Sequence, residues 1–412
     1  MSLPRVVVTG LGVVSSIGLG WQQFWASLLA GRSGIHPIRY IDTTDYPTHC
    51  GGEIDDFEPG QFMPERVSRQ LGRGTQFALA ATKMALEDAG LPAALREAAT
   101  EDLDDAPCIG MCLGTTMADI QALEEIDATW VTAGPREIGG RLIRQYPSCC
   151  MSANVAKHFG FLGPNLMIPT ACAAGNYALA HASDLLRLGQ ADVMVAGGAE
   201  PFSRIIFTGF NRLMAIAPER CQPFDKHRKG LIAGEGAGIL VLERLDDARA
   251  RGATIYGELL GYGMSCDGGH MTIPNVDGLT QVLRNALEHA GLAPDDVDYI
   301  SAHGTGTPAN DRAECAAIHA ALGAHASRVP VSSIKSMLGH TMGAASALEA
   351  IVCVLSVRFD HLPPTMNYEV PDPECDIDCV PNVSRPHRTR VALNNSFAFG
   401  GNNACVAFRK FA

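Results

Sequence analysis

One cysteine of this chain has the surroundings of a catalytic nucleophile. Cys172 lies between the apolar run "LMIP" and the segment "AAGNYALAHA", a pattern that places it at a tight turn where a helix begins. The amides and the dipole of a helix N-terminus favour a thiolate over a thiol and can stabilise an oxyanion, so we expect a lowered pKa for Cys172. The alternative is a buried structural cysteine, the commoner role, because the chain has 13 cysteines.

Two histidines and a lysine lie in similar contexts farther along the chain. His303 directly follows the predicted strand "DYISA" and opens a run of Gly and Thr, where ligands bind in α/β folds. His340 precedes a second small-residue helix, and Lys335 comes five residues before it, where it could orient His340 or tune its charge. Each histidine alone could be structural, but together with Cys172 they predict one shared cleft.

The last glycine-rich loop, "FAFGG", is a further candidate. Its backbone N–H groups could bind an oxyanion, while Phe397 and Phe399 could gate an apolar tunnel. Thr305 and Thr307 offer hydroxyl groups to a polar, chain-like substrate. A plain hairpin with core phenylalanines is the alternative for the loop.

Short apolar runs that end in glycine alternate with segments of helical period, which predicts α/β layers with buried strands. A helix that closes in "EDAGL" leads through an acidic loop to "PCIGMCLG", and a helix that closes in "EHAGL" leads to "DYISAHG". We therefore expect one α/β unit used twice, with an N-terminal half over residues 1–252 and a C-terminal half over residues 253–412.

Composition excludes several classes of function. The net charge of −12 opposes binding to nucleic acid or to an anionic membrane. We find no secretory signal and no run of about 18 apolar residues, so we expect a cytoplasmic protein with reduced thiols. The CxxxC spacings of Cys108/Cys112 and Cys375/Cys379 lack the tight pairs of zinc sites, so we expect no metal.

Four motifs carry a resemblance to a known family: "TAC" at 170–172, "HGTGTP" at 303–308, "KSMLGHTMGAA" at 335–345 and "NSFAFGG" at 395–401. Together they resemble the β-ketoacyl-acyl-carrier-protein synthases of the elongating type, and synthase II most closely. The resemblance runs from "VVVTGLGVVSSIG" to the final strand.

The resemblance implies a thiolase fold, in which duplicated α/β halves form a five-layered α/β/α/β/α core, usually in a homodimer, although a heterodimer is possible. It also implies that acyl groups pass from acyl carrier protein to Cys172. His303 and His340 would then assist decarboxylation of malonyl-carrier protein, and the resulting enolate would attack the thioester. The only carrier group is phosphopantetheine, and no cofactor is implied.

The same resemblance assigns further roles. The amides of Cys172 and Phe399 would form the oxyanion hole, and the histidines would be supported by Lys335, Asp311 and Glu314. Phosphopantetheine would contact Thr305 and Thr307, and Leu113 and Phe210 would be acyl-pocket positions. An acidic carrier would dock on a basic patch of Arg66, Arg69, Arg73, Arg204 and Arg212, although these could equally be solvated surface arginines.

Some positions depart from the pattern that is usual in the housekeeping synthases of this family. Ala398 stands where glycine is usual, Asn402 stands where threonine is usual, and "HGTGTPAND" stands where "HGTSTPxGD" is common. These departures keep open the same chemistry in a specialised polyketide or polyene pathway. A chain-length-factor-like partner is disfavoured because the nucleophile and both histidines are present. A degradative thiolase is disfavoured, because it would carry a second cysteine in the region where this chain has "NSFAFGGNNA". A nicotinamide dehydrogenase is also disfavoured, because its glycine motif would need a third glycine at the position of Ser15.

Overall fold

The computed structural model of the chain describes residues 3–92 and 107–411, so the acidic loop predicted before the strand "PCIGMCLG" lies outside the described ranges. The strands within them are β1 Val6–Ser15, β2 Gly18–Leu19, β3 His36–Pro37, β4 Cys50–Gly51, β5 Ile109–Gly114, β6 Asn165–Ile168, β7 Val193–Glu200, β8 Gly236–Arg244, β9 Gly257–Cys266, β10 Tyr299–Ser301, β11 Val331–Ser332, β12 His361–Leu362, β13 Arg385–Pro386, β14 Val391–Phe397 and β15 Asn402–Arg409. The α-helices within them are α1 Trp21–Leu29, α2 Glu65–Ser68, α3 Arg73–Asp88, α4 Ile120–Ala133, α5 Gly140–Gln145, α6 Cys149–Phe159, α7 Ala174–Arg187, α8 Arg204–Arg212, α9 Leu245–Ala250, α10 Val276–Ala290, α11 Pro308–Leu322, α12 Lys335–Leu338 and α13 Ala345–Phe359.

Two groups of strands repeat one order and one set of directions. In the first group β1 is antiparallel to β8, β8 is antiparallel to β7, and β5 and β6 continue parallel to β7. In the second group β9, β15, β14, β10 and β11 follow the same scheme. The first strands of the two groups pair over Val6–Val8 and Gly257–Leu259, which joins the groups into one sheet path. The predicted duplication is confirmed.

Helices form three layers around these strands. On the outer face of the first group lie α3 and α6, and on the outer face of the second lies α10, with α11 beside it. Between the two groups lie α7 and α13, and each of them contacts strands of both. The five-layered α/β/α/β/α arrangement is therefore confirmed, and the boundary predicted at residues 252 and 253 lies in the connection between α9 and β9.

The two middle helices begin in the same way. Ala171 and Met342 both have a φ of 50°, and each opens a single 3₁₀ turn that runs directly into α7 or α13. Residues with a Cβ rarely adopt this conformation, so the surrounding packing must hold both turns in place. The helix starts are in contact, because a Cβ at Gly175 would lie 2.6 Å from the Ala347 nitrogen.

Strand β14 is buried along its whole length although it carries polar side chains. Asn394 Nδ2 donates to Asn176 Oδ1 and to the Ser346 carbonyl, both at 2.7 Å. Because Asn176 lies on α7 and Ser346 on α13, these bonds tie both middle helices to one strand of the second group. Buried amides need such partners, and here they also fix the junction where the two helices begin.

One helical stretch, Met342–Phe359, has the length and hydropathy of a membrane span, but 89% of it is buried inside the protein. It comprises the second 3₁₀ turn and α13, and α13 lies in the middle layer. Its apolar composition is that of a core helix that is covered on every side.

Candidate active site

Cys172 lies at the turn where β6 leads into α7, as predicted. The left-handed residue Ala171 precedes it, and the side chains around it are small. The first strand group approaches the turn so closely that a Cβ at Gly114 would lie 2.3 Å from Ala174. The tight packing leaves Cys172 only 6% exposed, with its sulfur facing the interior cavity described below.

His340 reaches Cys172 from the second half. Its Nε2 lies 3.0 Å from Cys172 Sγ, while the Met342 N–H donates to its Nδ1 at 3.2 Å. An Nδ1 that accepts a hydrogen bond leaves the proton of a neutral imidazole on Nε2. His340 therefore directs an N–H donor at the sulfur. Its backbone is held by a 2.6 Å bond from its own N–H to the Ile232 carbonyl.

His303 lies beside His340, with ring centroids 5.4 Å apart. The Lys335 ammonium donates to the His303 carbonyl at 2.7 Å and lies 3.5 Å from its Nδ1. An ammonium can only donate, so Nδ1 of His303 is also the acceptor and its Nε2 carries the proton. The predicted trio of one thiol and two imidazoles is brought together in one cleft.

Both imidazoles are neutral at physiological pH. Burial, followed by the positive charge of Lys335, holds the pKa of His303 and of His340 well below the usual value of 6.5. Each histidine can therefore offer an uncharged N–H donor and does not exchange a proton with solvent near pH 7.

The predicted lowering of the Cys172 pKa is wrong. Burial raises the pKa of this thiol to about 12, and the opposing effect of Lys335 is smaller. Moving the sulfur out of water disfavours the thiolate more than the helix start favours it. At physiological pH Cys172 is therefore a thiol, and any reaction of its sulfur as a nucleophile would require loss of the thiol proton.

Glu314, predicted to support the histidines, acts on the backbone. Its two carboxylate oxygens accept from the N–H groups of His303 at 2.9 Å and Gly304 at 2.8 Å. Asp311 accepts from the N–H groups of Gly306 at 3.2 Å and Phe224 at 2.8 Å. Both carboxylates therefore hold the backbone of the loop after β10. Among the described residues, neither carboxylate forms a hydrogen bond with an imidazole ring.

Sequence reasoning missed two buried glutamates. Glu349 forms an ion pair with Lys335, and burial raises its pKa to about 7. Glu200 accepts from the N–H groups of Met117 at 2.9 Å and Gly343 at 3.2 Å, so it joins the two halves below the site. A signal for Glu349 was present, since an acidic residue in the apolar segment "AASALEAIVCVL" requires a buried partner.

A cavity of about 340 Å³ leads from the surface to Cys172. Predicted substrate-binding residues that line it are Phe210, Thr305, Thr307, Phe397 and Phe399. The ring centroids of Phe210 and Phe399 are 5.5 Å apart, so the two rings are in contact with each other where they line it. Leu113 does not line this cavity. It packs in the core between the first strand group and its outer helices, so its predicted place in the acyl pocket is not seen here.

The loop that carries Phe399 closes over this cavity. The N–H of Phe399 has no acceptor among the described residues, whereas Ala398 N–H donates to the Asn402 carbonyl at 3.1 Å. Gly400 N–H donates to the carbonyl of Met271, on a second loop at the mouth, at 2.8 Å. Because Ser396 Oγ donates to the Cys172 carbonyl at 2.9 Å, the loop and the nucleophile turn are fixed relative to each other.

The predicted docking arginines divide into two groups. The exposed ones are Arg66, Arg69, Arg204 and Arg212. The predicted docking role of Arg73 is wrong. Its guanidinium donates to both carboxylate oxygens of Glu235, at 2.9 and 2.7 Å, and to the Ile54 carbonyl at 2.7 Å. A side chain engaged in this way fixes the start of α3 and is not free to bind a partner.

Among the residues that the structure describes, two clusters have the ligand types of a metal site. Cys172, His303 and His340 place donor atoms within 4.8 Å of one another, but the nearby Lys335 ammonium opposes a cation there. In the second cluster, Glu53 already accepts from the N–H groups of Arg39 and Tyr40.

Two family models match this chain: the β-ketoacyl synthase N-terminal domain over residues 4–248, and the β-ketoacyl synthase C-terminal domain over residues 256–369. The chain belongs to the β-ketoacyl synthase family. As a β-ketoacyl synthase it is a condensing enzyme, and the reaction class predicted from its motifs is confirmed.

Known relatives cover the whole length of this β-ketoacyl synthase. The 3-oxoacyl-[acyl-carrier-protein] synthase 2 of Synechocystis sp. is 41% identical over 416 residues, which cover 99% of this chain and 98% of the relative. Among solved structures, the ishigamide ketosynthase/chain length factor matches with 41% identity, a TM-score of 0.93 and full coverage of both chains. A ketosynthase in complex with its type II polyketide acyl-carrier protein matches with 33% identity, a TM-score of 0.90 and full coverage of both.

We predict that alkylation of Cys172 by iodoacetamide accelerates steadily from about pH 7 to about pH 9.5, past the pKa of about 8.5 of an unperturbed cysteine. Burial raises the pKa of this thiol, so the reactive thiolate fraction keeps growing over the whole range. Peptide mapping by mass spectrometry measures the rate at each pH.

Lys335→Met is the informative variant, because the ammonium lowers the pKa of Cys172 and its loss should slow alkylation further at every pH. A rate that levels off below about pH 8 in the wild-type protein would contradict the raised pKa.

Proposed function

We propose that this β-ketoacyl synthase transfers an acyl group from an acyl carrier protein to Cys172 and condenses it with malonyl-carrier protein to give 3-oxoacyl-carrier protein. The observation that carries the proposal is the placement of Cys172 Sγ 3.0 Å from His340 Nε2, with His303 beside it at the end of one cavity. The names of the relatives support the same reaction.

In the first half-reaction, Cys172 Sγ attacks the carbonyl carbon of the carrier thioester. The N–H groups of Cys172 and Phe399 bind the oxyanion of the tetrahedral intermediate, and the His340 N–H stabilises charge on the sulfur. The bond to the carrier sulfur then breaks, and the proton of the Cys172 thiol ends on that departing sulfur. The acyl group remains on the enzyme as a thioester.

In the second half-reaction, malonyl-carrier protein takes the vacated place. Its carboxylate leaves as carbon dioxide, and the electron pair of the broken C–C bond forms an enolate whose oxygen accepts from the two Nε2–H groups of His303 and His340. The enolate carbon attacks the acyl carbonyl, and the bond to Cys172 breaks. The released thiolate takes a proton from solvent, so the cycle balances without a redox step or a cofactor.

A specialised polyketide or polyene pathway is the second candidate. The ishigamide ketosynthase/chain length factor is as similar to this chain as a synthase 2 is, at 41% identity for each. Of the two residues that depart from the housekeeping pattern, Ala398 lines the cavity and Asn402 begins β15 directly after the loop, so they bear on which acyl chain is accepted. The chemistry is the same in either pathway.

Intact-mass analysis tests the proposal. Wild-type protein and Cys172→Ala are incubated with acyl-carrier proteins of several chain lengths and then with malonyl-carrier protein. We expect an acyl adduct on the wild type alone, converted to a 3-oxoacyl product two carbons longer. His303→Ala should keep the adduct but lose about 100-fold or more in condensation rate, because it removes one enolate donor.

Folded wild-type protein that acquires no adduct from any carrier would overturn the catalytic proposal. A preference for saturated chains would favour fatty-acid elongation, and a preference for conjugated polyene chains the specialised pathway.

We also propose that the carrier docks on the exposed arginines around α8. Arg204 and Arg212 lie at the two ends of this helix, which contributes Phe210 to the cavity. A neighbouring groove of about 510 Å³ joins Arg204 to the start of α3, just after Arg66 and Arg69. A local basic patch of this kind attracts an acidic carrier helix even though the net charge of the chain is negative.

Charge reversal tests the docking surface. Arg204→Glu or Arg212→Glu should lower kcat/KM for acyl-carrier protein about tenfold at low ionic strength, and the loss should shrink as salt is added. Arg388→Glu is the matched control, because Arg388 is exposed beyond the start of β14, the end opposite the loop at the cavity. An equal loss in all three variants would refute the patch.

The edge strand β6 suggests a homodimer. It is the last strand at its end of the sheet, and nearby exposed apolar residues include Leu162, at 72% exposure, and Leu166, at 40%. An unpaired edge with apolar side chains is a ready template for pairing with a second chain, either a copy of itself or a related partner.

Sedimentation velocity tests this association. We expect a mass twice 43.7 kDa for the wild type and a single chain mass for Leu166→Asp. Leu188→Asp should stay dimeric, because Leu188 is exposed at the far end of α7. A monomeric wild type would overturn the homodimer and leave the heterodimer with a related chain.

We place the protein in the cytoplasm. All 13 of its cysteines are free thiols, which suits a reducing compartment. Cell fractionation that recovered the chain outside the cytoplasm would contradict this assignment.

A further inference from the structure

Ala398 lies against the nucleophile turn. It follows β14 directly, is 8% exposed, and packs in a small cluster with Cys172, Ala173 and Ala404. It also lines the cavity that ends at Cys172, His303 and His340. The Ala398 methyl group therefore occupies space at the reacting end of the cavity. Ala404 belongs to the same cluster but does not line the cavity.

The position of this methyl group is fixed. Ala398 N–H donates to the Asn402 carbonyl at 3.1 Å, and Gly401 N–H donates to the Ala398 carbonyl at 3.0 Å. Gly400 and Gly401 take the left-handed φ values of the turn, 86° and 77°, which leaves Ala398 in a conformation that alanine adopts freely. The methyl group cannot move aside without opening the turn.

An acyl group on Cys172 would begin at a buried point of the cavity, where Cys172 is 6% exposed and Ala398 packs in the same cluster. The proposed oxyanion donors are the N–H groups of Cys172 and of Phe399, the residue after Ala398, so the first carbons of the acyl chain would lie beside the Ala398 methyl group. The imidazoles of His303 and His340, 5.4 Å apart, close the side from which the second substrate enters. Close-packed walls of this kind resist even one additional methyl group.

We propose that Ala398 is a specificity-determining residue that admits acyl chains with no substituent on the carbon next to the thioester carbonyl and excludes chains that are methylated there. The inference rests on the proposed acyl transfer to Cys172 and assigns its substrate class. One methyl group at a fitted site changes selectivity by about 10-fold to 200-fold, and we expect an effect in this range.

A pair of small alkylating agents tests the steric claim without requiring acyl transfer. Iodoacetamide carries an unsubstituted carbon, whereas 2-iodopropanamide carries a methyl group on the reacting carbon. The ratio of their rates at Cys172 is compared with the ratio at Cys149, which is exposed and serves as the reference in the same sample. Peptide mapping measures both ratios in wild type, Ala398→Gly and the matched control Ala404→Gly.

We expect Cys172 of the wild type to discriminate against the methylated agent about tenfold or more beyond Cys149. Ala398→Gly should remove most of this excess, and Ala404→Gly should leave it in place. Equal discrimination at Cys172 and Cys149 in the wild type, or an equal shift in both glycine variants, would overturn the proposal. An unchanged Tm shows that each variant is folded.

The same proteins are then given straight-chain and 2-methyl-branched acyl-carrier proteins. Ala398→Gly should accept the branched chain about tenfold better relative to the straight one than the wild type does. If the alkylating agents discriminate but neither carrier acylates Cys172, the proposed function fails while the steric role of Ala398 stands. If straight and branched carriers acylate the wild type equally well, the specificity role fails while the proposed function stands.

Discussion

The Lys335 ammonium is buried between the two halves of the molecule, and the reactive groups of the site lie around it. Its positive charge lowers the pKa of both histidines and opposes the effect of burial on Cys172 and Glu349. Burying an isolated charge is very costly, and the Glu349 carboxylate and the His303 carbonyl are the partners that make it possible. Replacing either member alone would leave the other charge buried without a partner.

This ion pair also explains why the site needs both halves. Lys335 and Glu349 belong to α12 and α13, whereas the thiol they influence starts α7 in the first half. Glu200 links the halves in the opposite direction. It is the last residue of β7 in the first half, and its carboxylate accepts a hydrogen bond from the N–H of Gly343 in the second half. The site is therefore only as well ordered as the contact between the two middle helices, which the buried amides of Asn176 and Asn394 hold together.

The sequence was sufficient to predict the groups whose positions are set locally. Cys172 and His303 follow strands and precede helices, and chain direction alone brings such positions to the same edge of the strands. Global burial is not visible in a local pattern, which is why the direction of the Cys172 pKa shift was wrong. The prediction that Leu113 lines the acyl pocket was wrong for a related reason. Strand β5 is buried on both faces, so no alternation of apolar and polar residues indicates which face borders the cavity.

The sequence also could not identify which charged residues pair with each other over long distances in the chain. An acidic residue in the apolar helix α13 signals that a cation must be near, but nothing in the sequence identifies that cation as Lys335. Arg73 shows the converse, since an arginine at the start of a helix resembles a surface residue until its partner Glu235, 162 positions away, is known. Long-range ion pairs depend on the completed fold and cannot be inferred from spacing.

Gly343 occupies in the second turn the place that Cys172 occupies in the first. A Cβ there would lie 2.4 Å from the backbone of Thr115 and Thr116, so the close contact between the halves permits glycine alone. The repeated unit can therefore carry a cysteine at this point of the turn in only one of its two copies. Under the proposed mechanism, the incoming extender has no second thiol at the corresponding turn on which it could form a thioester.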